Sequence, residues 1–357
     1  MLELHAGSDA VLRLVALSTQ VSVAGAGLLL LCILWLHWRR GVVERQRAAF
    51  TSAWRPHLAA IAIEGPGAQS MALPRLKSSQ HVFFLREWIA LEELLEREAR
   101  GPLCAVAREV GLPRITRAML ASRRQNERLL AVVALGLLDD PTPWELLLAE
   151  ARNPRLELSL AAARALVRLD PRRGIEAVIP LVLARDDWPK SRVAAVMQEA
   201  GAAALTAPLL AAIRAANPLG QARLIAFIGF TTEPEGSALI RELLEATTSD
   251  EVQSACLTEV EHPSELPGVR RLTRHSRWHI RMLAAKALGR FGERPDELLL
   301  VELLGDSQWW VRYRAAQALA CLPWMKRDEL RRIQSAQTDR YAADALEHAI
   351  AERSFQS

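Results

Sequence analysis

The sequence predicts an all-α protein, an α-solenoid of about seven to nine helical hairpins after one N-terminal transmembrane helix. Four observations carry this. Seven similar stretches end on a large apolar residue, at Leu135, Leu166, Met197, Ile228, Val260, Leu288 and Leu319, in steps of 31, 31, 31, 32, 28 and 31 residues. Half of the 357 residues are hydrophobic but only 5% are aromatic, so the apolar content is Leu and Ala, which pack helix on helix. No window alternates Val, Ile and Thr as a strand would. Finally, the 23 residues 14–36 carry no charge.

Residues 1–13 read as a short, slightly acidic extracytoplasmic N-terminus. The transmembrane helix is placed at 14–38, and its uncharged part spans about 34 Å against a hydrocarbon core of roughly 30 Å. Trp35 and Trp38 fall where an interfacial belt is expected, and Arg39, Arg40, Arg45 and Arg47 follow. Positive charge on that side puts the C-terminal body in the cytoplasm and the N-terminus outside an inner membrane. A cleaved signal peptide fits poorly. It would need a basic leading segment, a shorter apolar run and a small-residue cleavage site where Trp-Leu-His-Trp-Arg-Arg stands. Residues 39–79 read as a basic juxtamembrane helix, broken or restarted at Pro56, and a Gly/Pro/Ser loop over 64–79 that separates anchor from body.

Residues 80–112 read as an N-terminal helical cap. A helix over 81–100 carries Phe84, Trp88, Leu91 and Leu95 on one face, and a second starts at Gly101-Pro102. The repeats occupy 113–322. Each pairs an outer helix, such as 175–183 or 297–304, with an inner helix. Turns are signalled by Asp139-Asp-Pro, Asn153-Pro, Asp170-Pro, Asn217-Pro and Arg294-Pro-Asp. Residues 323–357 read as C-terminal capping helices over 328–333 and 339–352, anchored by Leu346.

The repeat motif is D-x-x-x-x-V-R-x-x-A-A-x-A-L. It is complete at 306–319, good at 275–288 with His275 in place of Asp, and degraded at 122–135, 153–166, 184–197, 215–228 and 247–260. This resembles the HEAT repeat, in the short form seen in phycobilisome-lyase-type HEAT proteins, over roughly 115–320. With the anchor, the chain is similar to bacterial membrane-anchored HEAT proteins. In such repeats the basic residue at the position of Arg281 and Arg312, shared here by Arg128 and Lys190, typically bonds neighbouring turns and forms a ladder. The other reading of that row is a ligand-binding surface.

Little chemistry is signalled. Cys32, Cys104, Cys256 and Cys321 form no metal or disulfide pattern and read as free thiols. Net charge is +4, carried by 41 Arg against four Lys, too mild to call for nucleic acid. His275 and His279 lack further ligands, and Arg274, Arg277 and Arg281 would repel a cation, so neither metal nor cofactor is expected. Deoxyhypusine hydroxylases, which are HEAT-like, use His-Glu pairs, and this sequence contains none. No Walker, G-x-S-x-G, H-E-x-x-H or G-x-G-x-x-G motif is present.

The best binding candidate is a basic aromatic strip at the starts of the inner helices. It comprises Trp278, His279, Arg281, Trp309, Trp310, Arg312, Tyr313 and Arg314, with Trp188 at a similar place upstream. These residue types dominate interface hot spots, although Trp packed between repeats is the competing reading. The expected function is a non-enzymatic, membrane-anchored cytoplasmic scaffold or regulator binding a protein partner. Resemblance to bacterial envelope accessory proteins implies a membrane-associated envelope or polysaccharide-synthesis enzyme as that partner. A HEAT-like lyase or hydroxylase, or a nucleic-acid-binding HEAT protein, is the alternative.

Overall fold

A computed structural model of the chain describes residues 3–64, 73–95, 100–138, 140 and 142–356. Regular structure among them is helical throughout, and the chain divides into two compact units, Met1–Leu138 and Asp139–Ser357.

The first unit opens with α1 (Glu3–Glu64). The sequence leads one to expect a separate N-terminal segment and a break at Pro56, but the helix runs through both. Proline removes one backbone donor, yet Pro56 lies on the exposed side. The opposite side, Phe50, Trp54, Leu58 and Ile61, is at most 2% exposed. That stripe packs on α2 (His81–Leu94): the rings of Trp54 and Phe84 meet edge-on at 5.0 Å, and those of Phe50 and Phe83 stack at 6.2 Å. Burying four large side chains outweighs one missing hydrogen bond of about 1 kcal/mol. The region Gly25–Ile61 of α1 contains an apolar window of mean hydropathy 1.4, none of it buried. This helix is long and apolar enough to cross a membrane, a test that a leader sequence also passes.

Residues 65–72 of the expected loop lie outside the described residues, as do 96–99 of the expected 81–100 helix. Leu95 already has extended backbone, so α2 ends at Leu94. Three short helices follow, α3 (Gly101–Glu109), α4 (Leu112–Leu120) and α5 (Gln125–Leu137). Gly111 joins α3 to α4 at φ +75, a left-handed turn that favours glycine. Trp88 Nε1 donates to the Leu103 carbonyl at 3.1 Å and ties α2 to α3. The first repeat anchor, Leu135, is buried in α5.

The second unit alternates outer and inner helices in seven hairpins among the described residues. They are α6 (Trp144–Ala151) with α7 (Leu156–Leu169), α8 (Pro171–Ala184) with α9 (Lys190–Ala200), and α10 (Ala202–Ala215) with α11 (Pro218–Ile225). Then come α12 (Glu235–Ala246) with α13 (Asp250–Glu259), α14 (Leu266–Leu272) with α15 (Trp278–Phe291), α16 (Asp296–Leu304) with α17 (Trp309–Cys321), and α18 (Arg327–Ala336) with α19 (Arg340–Gln356). Each inner helix from α11 to α19 packs on the next, which is the solenoid the periodicity predicts. The six anchors from Leu166 to Leu319 are all at most 4% exposed.

The turn residues act as read. Asp170 caps α8 by accepting from Arg173 N at 3.0 Å, and Asn217 caps α11 by accepting from Gly220 N at 2.8 Å. The expected turn at 139–141 falls partly outside the described residues; Asp140 accepts from Thr142 N at 3.0 Å. Three of the degraded motif copies, at 184–197, 215–228 and 247–260, have shorter inner helices. α11 ends at Ile225, leaving Ile228 in a 3-10 turn, and Val260 sits just beyond α13. The shortened step of 28 residues matches the short α14, seven residues preceded by a 3-10 turn at Pro263–Glu265. Where the motif is best kept, α15 and α17 approach closely: a Cβ on Gly289 would lie 2.6 Å from Ala318 Cα.

Candidate functional site: an aromatic cluster held by an arginine ladder

Asp306 is the centre of the turn before α17. Its carboxylate accepts from Arg281 Nε at 2.6 Å and Nη2 at 2.9 Å, and from Gln308 N at 2.8 Å. Arg281 Nη1 also donates to the carbonyls of His275 at 2.7 Å and Ser276 at 3.0 Å, so it ties the turn before α15 to the turn before α17. Arg312 repeats the own-turn half of this pattern one unit on, its Nη1 donating to the carbonyls of Asp306 at 2.7 Å and Ser307 at 3.2 Å. Burial raises the Asp306 carboxyl pKa, but hydrogen bonds from Arg281 and Gln308 more than offset this and hold it below its ordinary value. Arg281 and Arg312 are therefore spent on turns; Arg312 is 9% exposed.

The ladder has members of other types. Gln253 stands at the same repeat position and donates Nε2 to the Thr247 carbonyl at 2.9 Å. Lys190 does not join it, reaching Glu259 at 3.4 Å instead. Arg128 lies half-buried in α5 of the first unit. Sequence reasoning missed a second set of turn ties. Arg185 donates to the carbonyls of Asn153 and Pro154, Arg223 to that of Arg185, and Arg271 to those of Leu244 and Glu245.

On this frame the aromatic residues separate into two kinds. Trp188 is 4% exposed, with Nε1 donating to Ser159 Oγ on α7 at 3.0 Å, so it is core and leaves the strip. Trp278, Trp309 and Trp310 are 39%, 51% and 50% exposed. Trp309 and Trp310 meet edge-on at 4.6 Å, and Trp309 stacks on Tyr313 at 5.1 Å with an 8° interplanar angle. Tyr313 OH donates to Glu352 Oε1 at 2.9 Å and accepts from Gln317 Nε2 at 2.8 Å. The bond to Glu352 raises the Tyr313 pKa, while Gln317 and Tyr313 lower that of Glu352. Arg314 donates to Gln317 Oε1 at 2.7 Å and lies 5.8 Å from the Tyr313 ring. Trp278 pairs edge-on with His279 at 5.9 Å. Among the described residues no ring contact joins this pair to the 309–313 cluster. His275 and Arg277 both face Asp250, at 3.8 and 3.2 Å. The other candidates, Trp35, Trp38, Arg39 and Arg40, are exposed on α1 in the first unit, with the Arg39 guanidinium 5.3 Å over the Trp35 ring.

The arrangement can act as a preformed apolar contact. Three rings from one helix, α17, lie against each other and are edged by the Arg314 guanidinium.

Comparison with known proteins bears on architecture. Residues 255–320 match the family model described as HEAT repeats. No curated protein matches. A crystal structure of an engineered protein is similar at 16% identity and a TM-score of 0.35, covering 88% of this chain and 94% of its own; at that score it carries no weight. The family match falls on the copies where the motif is most complete and where Arg281 joins one turn to the next. The chain therefore carries HEAT repeats, in the segment 255–320 that holds the Arg281–Asp306 tie and the aromatic cluster.

Proposed function

We propose that this protein is a non-enzymatic scaffold or regulator that binds a protein partner through the Trp309–Trp310–Tyr313 cluster. The supporting observation is two tryptophans on α17, each about half exposed, Trp309 stacked on Tyr313 and Trp310 edge-on to both, on a helix whose leading turn is tied to the one before by Arg281. An exposed indole pair costs solvation in the free protein and contributes most when a partner covers it. In this reading α1 anchors the chain in the inner membrane, with the N-terminus outside and the repeats in the cytoplasm. The arginines that follow the apolar stretch favour that orientation. Anchoring raises the effective concentration toward membrane partners, so a membrane-associated envelope or polysaccharide-synthesis enzyme is the partner class we assign.

The test is affinity capture of the full-length protein from mildly solubilised membranes, beside Trp309→Ala/Trp310→Ala. The expected result is a defined membrane protein retained by the wild type and lost by the variant, with helical content unchanged. Equal retention by both would rule out the cluster as the contact.

A further inference from the structure

Beside the aromatic cluster lies a pocket of about 510 Å³ shared by α15, α17 and α19. Its charged and polar groups are Lys286, Arg290, Arg314, Gln317 and Glu352. Its floor is the close approach of Gly289 to Ala318, which leaves the walls between the charged groups apolar.

The charges do not balance. Lys286 and Arg290 are exposed and form no ion pair among the described residues. Arg290 instead lies 4.8 Å from the Phe291 ring, and Arg314 donates to the neutral Gln317. The pocket's carboxylate, Glu352, is engaged by Tyr313 at 2.9 Å and Gln317 at 2.8 Å. Three cations therefore converge on a cavity with one occupied carboxylate. The same Tyr313–Gln317–Glu352 bonds connect the pocket wall to the stacked rings, so pocket and cluster form one continuous surface.

We infer that this pocket takes a carboxylate side chain from an acidic segment of the protein partner, seated next to the contact on Trp309 and Trp310. The inference rests on the scaffold reading. Charge complementarity selects the anion, and the apolar floor selects the methylene stem of Glu or Asp in a peptide over a fully hydrated inorganic ion. The volume falls in the range of about 300–1,000 Å³ common to ligand pockets, enough for a side chain and adjoining backbone.

The experiment uses the full-length chain in detergent and a fluorescein-labelled peptide of alternating Glu and Leu, read by anisotropy. A Gln/Leu peptide is the uncharged control and inorganic phosphate the competitor. Expected are binding that weakens with salt and an affinity loss of about tenfold or more, both for the Gln/Leu peptide and for Lys286→Ala/Arg290→Ala. Both substituted side chains are exposed, so the fold survives, checked by circular dichroism. Equal binding of the two peptides, or no effect of the double variant, overturns the inference. Phosphate binding without peptide binding also overturns it, leaving a small-anion site. Loss of partner capture by the Trp309→Ala/Trp310→Ala protein alone, with Lys286→Ala/Arg290→Ala capturing normally, overturns the pocket while the scaffold stands. Capture unaffected by either variant overturns both.

Discussion

Replacing Arg281 with Met keeps the aliphatic stem and removes the guanidinium. Asp306, whose side chain is 7% exposed, then keeps a charge facing an empty donor position. Removing one partner of a buried pair typically costs 3–5 kcal/mol, and Arg281 is itself 16% exposed, so about 2–4 kcal/mol is expected after solvent screening. The carbonyls of His275 and Ser276 can turn to water, and their loss adds little. The assay is native-state hydrogen exchange on peptides covering α15 and α17, which reads local opening. At pH 7.5 exchange in Arg281→Met should be faster by roughly 30- to 1,000-fold. The Asp306 carboxyl pKa is depressed in the fold, so the stability this pair supplies is present above the ordinary carboxyl range and lost as pH falls through the folded value. Without Arg281 the carboxyl protonates at higher pH, so the gap between variant and wild type must shrink on acidification. Adding Asp306→Asn should recover part of the loss. An unchanged exchange rate, or a double variant worse than the single one by the full cost of a second lesion, would refute the ladder as a source of stability.

Two further outcomes concern Glu92 in the first unit and the orientation of the chain. Burial pushes the Glu92 carboxyl up to about 7, against the hydrogen bond from Cys104 and the charge of Arg100, so the fold favours the neutral acid. The first unit should therefore lose stability as pH rises from about 4.5 to about 7 and level off above, and Glu92→Gln should flatten that slope and gain up to about 3 kcal/mol at pH 8; a slope unchanged by the substitution would exclude Glu92 as its origin. A reporter fused after Ser357 should behave as cytoplasmic, and an extracytoplasmic signal there would reverse the proposed orientation.

The repeat architecture was legible because each anchor residue is buried for the same reason in every copy, so the period survives even where the motif decays at Ile228 and Val260. The continuity of α1 was not. The stripe Phe50, Trp54, Leu58, Ile61 is visible in the sequence, but its partner stripe on α2, which holds the helix together through Pro56, is a tertiary fact. The turn ties of Arg185, Arg223 and Arg271 escaped because their acceptors are backbone carbonyls 26 to 38 residues upstream, which carry no side-chain signature. Exposure of the tryptophans was half legible. Trp188 and Trp310 share one repeat position, yet one is buried and the other exposed. The preceding copy explains the difference. Small Ser159 receives the Trp188 indole, whereas Arg281 fills the equivalent place before Trp310 with a guanidinium already bound to Asp306.

The most direct test of the partner-binding surface is site-specific photo-crosslinking in cells, with a benzophenone amino acid at Trp309 and, as control, at Leu298 on the outer helix α16, which is 76% exposed. The account predicts a single dominant adduct with a membrane-associated protein from position 309 and none from 298. Equal adducts from both positions, or none from 309 in the intact membrane, would contradict it.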